Sequence, residues 1–190
     1  MARGSQTEAA VLGVLSVQSM TGYAVREAIR DVLGHFWSES FGQIYPTLAQ
    51  LEHDGLVERS HGERAGSSVY AITVAGRDRL VELLRQPDHP VPPRSGLMLR
   101  LFFGNALGVE ACRGLIRHAR VTAEEQLETF QAIRDELASD AGTREHHPYW
   151  LLTISAGEHT ARAVLDWADE SLDSLTALDP NEPETRATNP

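Results

Sequence analysis

Four prolines within seven residues, Pro87, Pro90, Pro92 and Pro93, constrain this chain more than any other feature. Proline fixes φ, lacks an N–H donor and clashes with the preceding helical turn, so 87–93 cannot be helical and reads as a stiff linker. Residues 1–86 and 94–178 therefore have to bury their apolar positions as separate units. Residues 179–190 are polar and proline-bearing, with almost nothing to bury, and are expected to form a disordered tail.

The first segment reads helix, helix, helix, strand, strand, helix. Ala9, Leu12 and Leu15 recur at helical spacing over 6–17. Thr21 can cap a second helix over about 22–34, with Ile29, Val32 and Leu33 inward. Ser40 can cap a third, where Phe41, Ile44, Tyr45, Leu48 and Leu51 recur at i, i+3 and i+4. Gly55 then supplies a left-handed stop. Pro46 is tolerated only in a first turn, so this helix either starts late or begins distorted. Val57–Ser60 and Ser67–Thr73 alternate as short strands around the glycine-bearing loop HGERAG. Thr73 can cap a fourth helix carrying Leu80, Leu83 and Leu84.

Beyond the linker the pattern is wholly helical: the apolar run GLMLRLFFG (96–104), a periodic stretch over 109–137, and another over 149–178. Helices of about thirty residues in fewer than 100 cannot wrap a globule of their own. Their apolar stripes are better covered by a second copy, which predicts a homodimer.

Three helices and a β-hairpin make a winged helix-turn-helix domain, mainly α with a small β wing. The fold class expected is that domain followed by an all-helical dimerisation domain. In such a domain the third helix can enter the major groove of double-stranded DNA while the wing lies over the backbone or minor groove. The stretch SFGQIYPTLAQLEHDGLVERS carries a small residue, Gly, a β-branched residue, Tyr-Pro and a Leu-x-x-Leu-Glu-x-x-Gly-Leu exit, and so resembles the PadR family. MTGYAVREAI resembles that family's second helix, and SSVYAITVAGRDRL its wing strand and fourth helix. LMLRLFFG, the long helix after it and Trp167 are similar to the C-terminal domain of the longer subfamily, related to virulence-regulator activators. The resemblance implies a dimeric regulator, usually a repressor, on an inverted-repeat operator, released by a small aromatic or drug-like effector. It also implies that the Tyr45 hydroxyl reaches the DNA backbone.

Other contacts follow from residue chemistry. Gln43 and Thr47 can read adenine and thymine edges, with Gln50 a turn further on; each would look the same as a solvated surface residue. The third helix holds no Arg or Lys, so phosphate neutralisation has to come from elsewhere. Arg26 and Arg30 lie a turn apart on the second helix, interleaved with Glu27 and Asp31. Arg59, His61 and Arg64 flank the wing tip, and Ser40, Ser67 and Ser68 add hydroxyl donors. Residues 1–86 hold eight Arg and ten acids, whereas 87–190 hold nine Arg and seventeen acids. The first half is thus nearly neutral, and few phosphate contacts with a shallow salt slope are expected.

For an effector the aromatic candidates are Phe102, Phe103, Tyr149, Trp150 and Trp167, whose rings offer flat apolar faces; they serve equally as core. Arg100, alone in an apolar run, can pair with an acid across the dimer or with an anionic ligand. A net charge of −10 excludes a general polyanion binder. No run approaches the roughly 18 apolar residues of a membrane span, and MARGSQTE lacks a signal-peptide core, so a cytoplasmic protein is expected. His146 and His147 are adjacent and no i, i+4 histidine pair occurs, so neither metal nor cofactor is expected. No nucleophile or phosphate-loop motif appears, so no enzyme is expected. Cys112, the single cysteine, reads as a small buried apolar residue. The competing reading is a winged helix protein-interaction module without sequence-specific DNA binding, suggested by the acidic balance.

Overall fold

A computed structural model describes residues 3–34, 37, 41–61, 67–87, 95–139 and 142–177. The chain falls into two compact units, Met1–Val91 and Pro92–Pro190. Apart from Pro87, the expected linker lies outside the described residues, as does the expected tail.

In the first unit α1 spans Arg3–Val17, β1 Met20–Thr21, α2 Gly22–Ala28, α3 Ile44–His53, β2 Val57–His61, β3 Ser68–Ile72 and α4 Val74–Leu84. Four helical stripes converge on one core. Val11, Leu12 and Leu15 of α1 meet Val25 of α2, Ile44, Leu48 and Leu51 of α3, and Leu83 of α4, each at most 2% exposed. The i, i+4, i+7 spacing in α3 puts its three core residues on one side and leaves the other side open. Leu84, a fourth-helix apolar position, is instead 62% exposed.

The caps sit where side-chain chemistry places them. Thr21 Oγ1 accepts from Ala24 N (3.2 Å) at the start of α2. Thr73 Oγ1 accepts from Gly76 N (3.0 Å) and its hydroxyl donates to Gly55 O (2.9 Å), which ties α4 to the turn after α3. Gly55 takes φ +70, the left-handed stop its position required.

Two sequence expectations are revised and one open alternative is decided. The second helix does not run as one α-helix to residue 34: it turns π-helical over Ile29–Leu33. For the third helix the structure takes the late, distorted start that Pro46 left open. A 3-10 turn over Phe41–Gln43 comes first and α3 starts at Ile44, so Pro46 falls in the first turn, where no N–H is missed. Finally, the wing hairpin gains a third strand. β1 pairs with β3 on the edge away from β2, with Met20 opposite Tyr70 and Arg59 opposite the same residue from β2.

In the second unit α5 spans Gly96–Phe102, α6 Gly104–Leu107, α7 Val109–Ser139 and α8 His147–Thr176. The apolar run 96–104 thus breaks into two short helices. In α7, Ile116, Ala123 and Phe130 are buried, and in α8, Ile154, Ala161 and Ala168. Both sets repeat every seven residues, the spacing of an antiparallel coiled-coil seam. Alanine in three of those positions draws the backbones together, and Phe130 lays its ring on Gly157, where a Cβ would fall 2.5 Å from Cε1. Charged pairs lock the register: Arg120 to Asp169 and Arg134 to the buried Glu158 (2.8 Å each), while Arg162, one turn along α8 itself, adds a second arginine to Glu158 (3.1 Å). Those two guanidiniums hold the Glu158 carboxyl below its ordinary pKa.

Candidate nucleic-acid interface

The open side of α3 is the first unit's candidate contact surface. Gln43, Tyr45, Pro46, Ala49 and Gln50 are exposed there and Thr47 is half-buried. Tyr45 is 50% exposed, and its ring lies along α2: a Cβ on Gly22 would meet Tyr45 Cε1 at 3.0 Å. Gly22 thus lets the ring lie flat, so packing and exposure coexist in this one residue. Among the described residues, neither the Tyr45 hydroxyl nor the Gln43 amide has a hydrogen-bond partner. Gln50 differs, because its amide donates to both carboxylate oxygens of Asp54 (2.9 and 3.0 Å). To reach a base it would first have to leave Asp54.

The basic residues are less available than their spacing suggested. Arg30 donates from Nε to Asp31 (2.7 Å) and from Nη1 to Glu27 (2.9 Å), and these carboxylates raise its pKa further. Its charge is already neutralised within the chain. Arg26 is half-buried, with its Nε sealed from solvent. Arg59 Nε donates to Ser68 Oγ (2.8 Å) across the hairpin, so Ser68 braces the wing. His61 is exposed at the end of β2 and Ser67 is half-buried at the start of the return strand. Ser40 and Arg64 lie outside the described residues.

Tyr23, absent from the sequence candidates, is 62% exposed in the first turn of α2, directly after the glycine that Tyr45 covers. Its signal was phase. Val25 and Ile29 are the buried positions of that segment, and residue 23 is out of step with them.

The second unit holds a cavity of about 790 Å³ between α5, α7 and α8, lined among others by Phe102, Cys112, Ile116, Trp167 and Glu170. Phe103 meets Phe102 edge-on at 5.1 Å but does not line it. Tyr149 and Trp150 do not belong to this group. They lie at the opposite end of α8, seventeen residues and about 25 Å from Trp167, with Trp150 stacked on His146 at 5.4 Å. The five aromatic candidates thus form two separate sets, because the long helix spreads them apart. A smaller groove of about 300 Å³ carries Arg100 and His118. Among the described residues no group of three or more metal-ligating side chains occurs, and no helix is long and apolar enough to cross a membrane.

Residues 11–82 match the transcriptional regulator PadR-like family, and residues 93–176 match the virulence activator alpha C-term family. The chain is 26% identical over 136 residues to "Negative transcriptional regulator PadR" of Bacillus subtilis, 70% of this chain and 75% of that protein. It is 26% identical over 183 residues to "Probable transcriptional regulator Rv1176c" of Mycobacterium tuberculosis, 87% of this chain and 95% of that protein. The solved structure of B. subtilis PadR in complex with operator DNA has the same fold (TM-score 0.75, 23% identity), covering 88% of this chain and 98% of that one. The same protein in complex with p-coumaric acid gives a TM-score of 0.73 at 21% identity, covering 93% and 98%. The Vibrio cholerae virulence activator AphA gives 0.69 at 26% identity, covering 91% and 99%.

Proposed function

The chain belongs to the PadR-like family of transcriptional regulators and carries a virulence-activator-type C-terminal region, and from that premise we propose that it is a homodimeric, effector-released repressor that binds an inverted-repeat operator in the cytoplasm. The family is regulatory rather than enzymatic. The first unit reads DNA and the second holds two copies together.

One observation carries the DNA reading: the open side of α3 presents Gln43, Tyr45 and Thr47, with two of them lacking any partner among the described residues. Tyr45 donates its hydroxyl to a phosphate, Gln43 and Thr47 read base edges, and Tyr23 and the wing residues His61 and Arg64 hold the backbone. Ser40, Ser67 and Ser68 serve the same backbone in lesser roles, and Arg26 and Arg30 join only on exchanging their internal partners. That the operator-bound B. subtilis protein has this fold supports the reading.

Dimerisation is supported by α5, in which no residue is buried although six of its seven are apolar or glycine. Leu99, Phe102 and Phe103 are 62, 83 and 59% exposed, and Leu152 on α8 is 68% exposed. A second copy covers such a surface at least cost. The effector enters the cavity between Phe102 and Trp167.

The experiment is fluorescence anisotropy of the full-length protein on duplexes from upstream of its own coding sequence, across a salt series. Tyr45→Ala should weaken binding about tenfold, as expected for loss of a charge-assisted hydrogen bond, and Tyr45→Phe nearly as much. The charge-poor face should give a log–log salt slope no steeper than about −4. The neutralised Arg30 and an α3 without Arg or Lys favour one other reading, a protein-interaction module. Absence of any sequence preference at low salt would select it.

A further inference from the structure

We propose that Gln50, held by Asp54, reads the exocyclic amino group of one adenine or cytosine in the operator; this deepens the regulatory reading above and rests on it. Asp54 is exposed at the C-cap of α3, where a carboxylate adds to the negative end of the helix dipole. Both of its oxygens accept from Gln50 Nε2, at 2.9 and 3.0 Å. A carboxylate only accepts, so the amide nitrogen is the group that must face it. That settles which way the Gln50 amide points. Donating to a base would require Nε2 to leave Asp54, whereas accepting from one requires no exchange. Oε1, at the far corner of the amide, has no donor among the described residues, and Gln50 is exposed. The charge on Asp54 polarises the amide and strengthens that oxygen as an acceptor.

Gln43, Thr47, Gln50 and Asp54 fall at i, i+4, i+7 and i+11, one stripe along the open side of α3. From Gln43 to Gln50 is about 10 Å along a helix, or about three base-pair steps. In the major groove the hydrogen-bond donors are the amino groups on adenine N6 and cytosine N4, while guanine and thymine present acceptors there. An oxygen alone therefore takes either of the first two bases and is repelled by the others. Gln43 differs, because among the described residues nothing fixes its amide. It can donate to adenine N7 while accepting from N6, a two-bond contact that cytosine cannot complete. One residue type thus makes two different selections on one helix, adenine at Gln43 and adenine or cytosine at Gln50.

The operator is first obtained by selecting duplexes from a randomised pool with the full-length protein, and anisotropy is then measured on synthetic variants of it. One position, about three base pairs from the one that Gln43→Ala relaxes, should accept adenine and cytosine within about threefold and bind guanine and thymine at least about tenfold more weakly. Gln50→Ala should level all four. With adenine at that position, 7-deazaadenine lacks N7 and should bind unchanged. Purine lacks the amino group and should bind about tenfold more weakly, a loss absent from Gln50→Ala. Asp54→Ala frees the amide, so it should favour adenine over cytosine and lose about tenfold on 7-deazaadenine. A carboxylate that served only the helix would change affinity for every duplex alike. Both side chains are exposed, so neither variant disturbs the core. Adenine alone preferred by the parent with a loss on 7-deazaadenine, or an Asp54→Ala variant that still tolerates cytosine and 7-deazaadenine, would overturn the proposal. A selected sequence indifferent to Gln50→Ala at every position keeps the regulatory reading and removes this one, whereas a pool that yields no sequence removes both.

Discussion

A single methyl group at Gly157 probes how α7 and α8 fit together. Glycine inside a helix is worse than alanine by about 0.5–1 kcal/mol, so propensity alone makes Gly157→Ala stabilising. Packing opposes it. The new Cβ would fall 2.5 Å from Cε1 and 2.6 Å from Cε2 of Phe130, whose residue is only 7% exposed. Swinging the ring into solvent would forfeit roughly 4 kcal/mol, taking about 150 Å² of ring surface at about 25 cal/mol per Å². Spreading the helices is cheaper, at about 1–3 kcal/mol. The balance is a loss of about 1–2 kcal/mol, or a Tm lowered by about 2–8 °C for a chain of this size. Circular dichroism melts at one fixed protein concentration give the number, since dimer stability depends on concentration. In a Phe130→Leu background the ring edge is gone, and the same methyl should raise stability by about 0.5–1 kcal/mol. A higher Tm for Gly157→Ala in the otherwise unaltered protein would refute the argument.

Other substitutions test separate parts of the account. Thr73→Ala removes the α4 cap and the bond to Gly55 together, and should cost about 1–2 kcal/mol by chemical denaturation. Glu158→Ala strips two arginines of their shared partner and should cost about 1–3 kcal/mol. Because the folded Glu158 carboxyl titrates below its unfolded value of about 4.3, its contribution is full above that pH. It is lost as pH falls through the lower folded value, so melts taken down from pH 5 should lose more stability in the parent than in Glu158→Ala. Glu27→Gln loosens the clamp on Arg30 and should raise operator affinity about two- to fivefold at low salt, with a steeper salt slope; unchanged binding would place Arg30 away from the DNA.

Much of this architecture was legible because local chemistry and tertiary packing agree. Thr21, Thr73 and Gly55 occupy the ends their side chains or backbone freedom dictate, and Ile44, Leu48 and Leu51 announce the buried side of α3. The departures have physical causes too. Pro46 forbids a regular first turn upstream of it, and a 3-10 turn resolves what spacing left open. β1 is two residues long, too short for alternation to show. The arginines misled most, since sequence gives their spacing but not their partners: Arg30 is held by Glu27 and Asp31, next to it in the chain. The aromatic candidates separated because composition counts rings while a helix of thirty residues sets them far apart.

The central claim is that two copies of the α3 face meet one DNA duplex at a fixed separation. Hydroxyl-radical footprinting of the full-length protein on its upstream DNA measures that directly. Two symmetric protected patches centred about 34 Å apart, both erased by Tyr45→Ala, are the predicted result. A single patch, or protection no stronger than on unrelated DNA at the same salt, would contradict it.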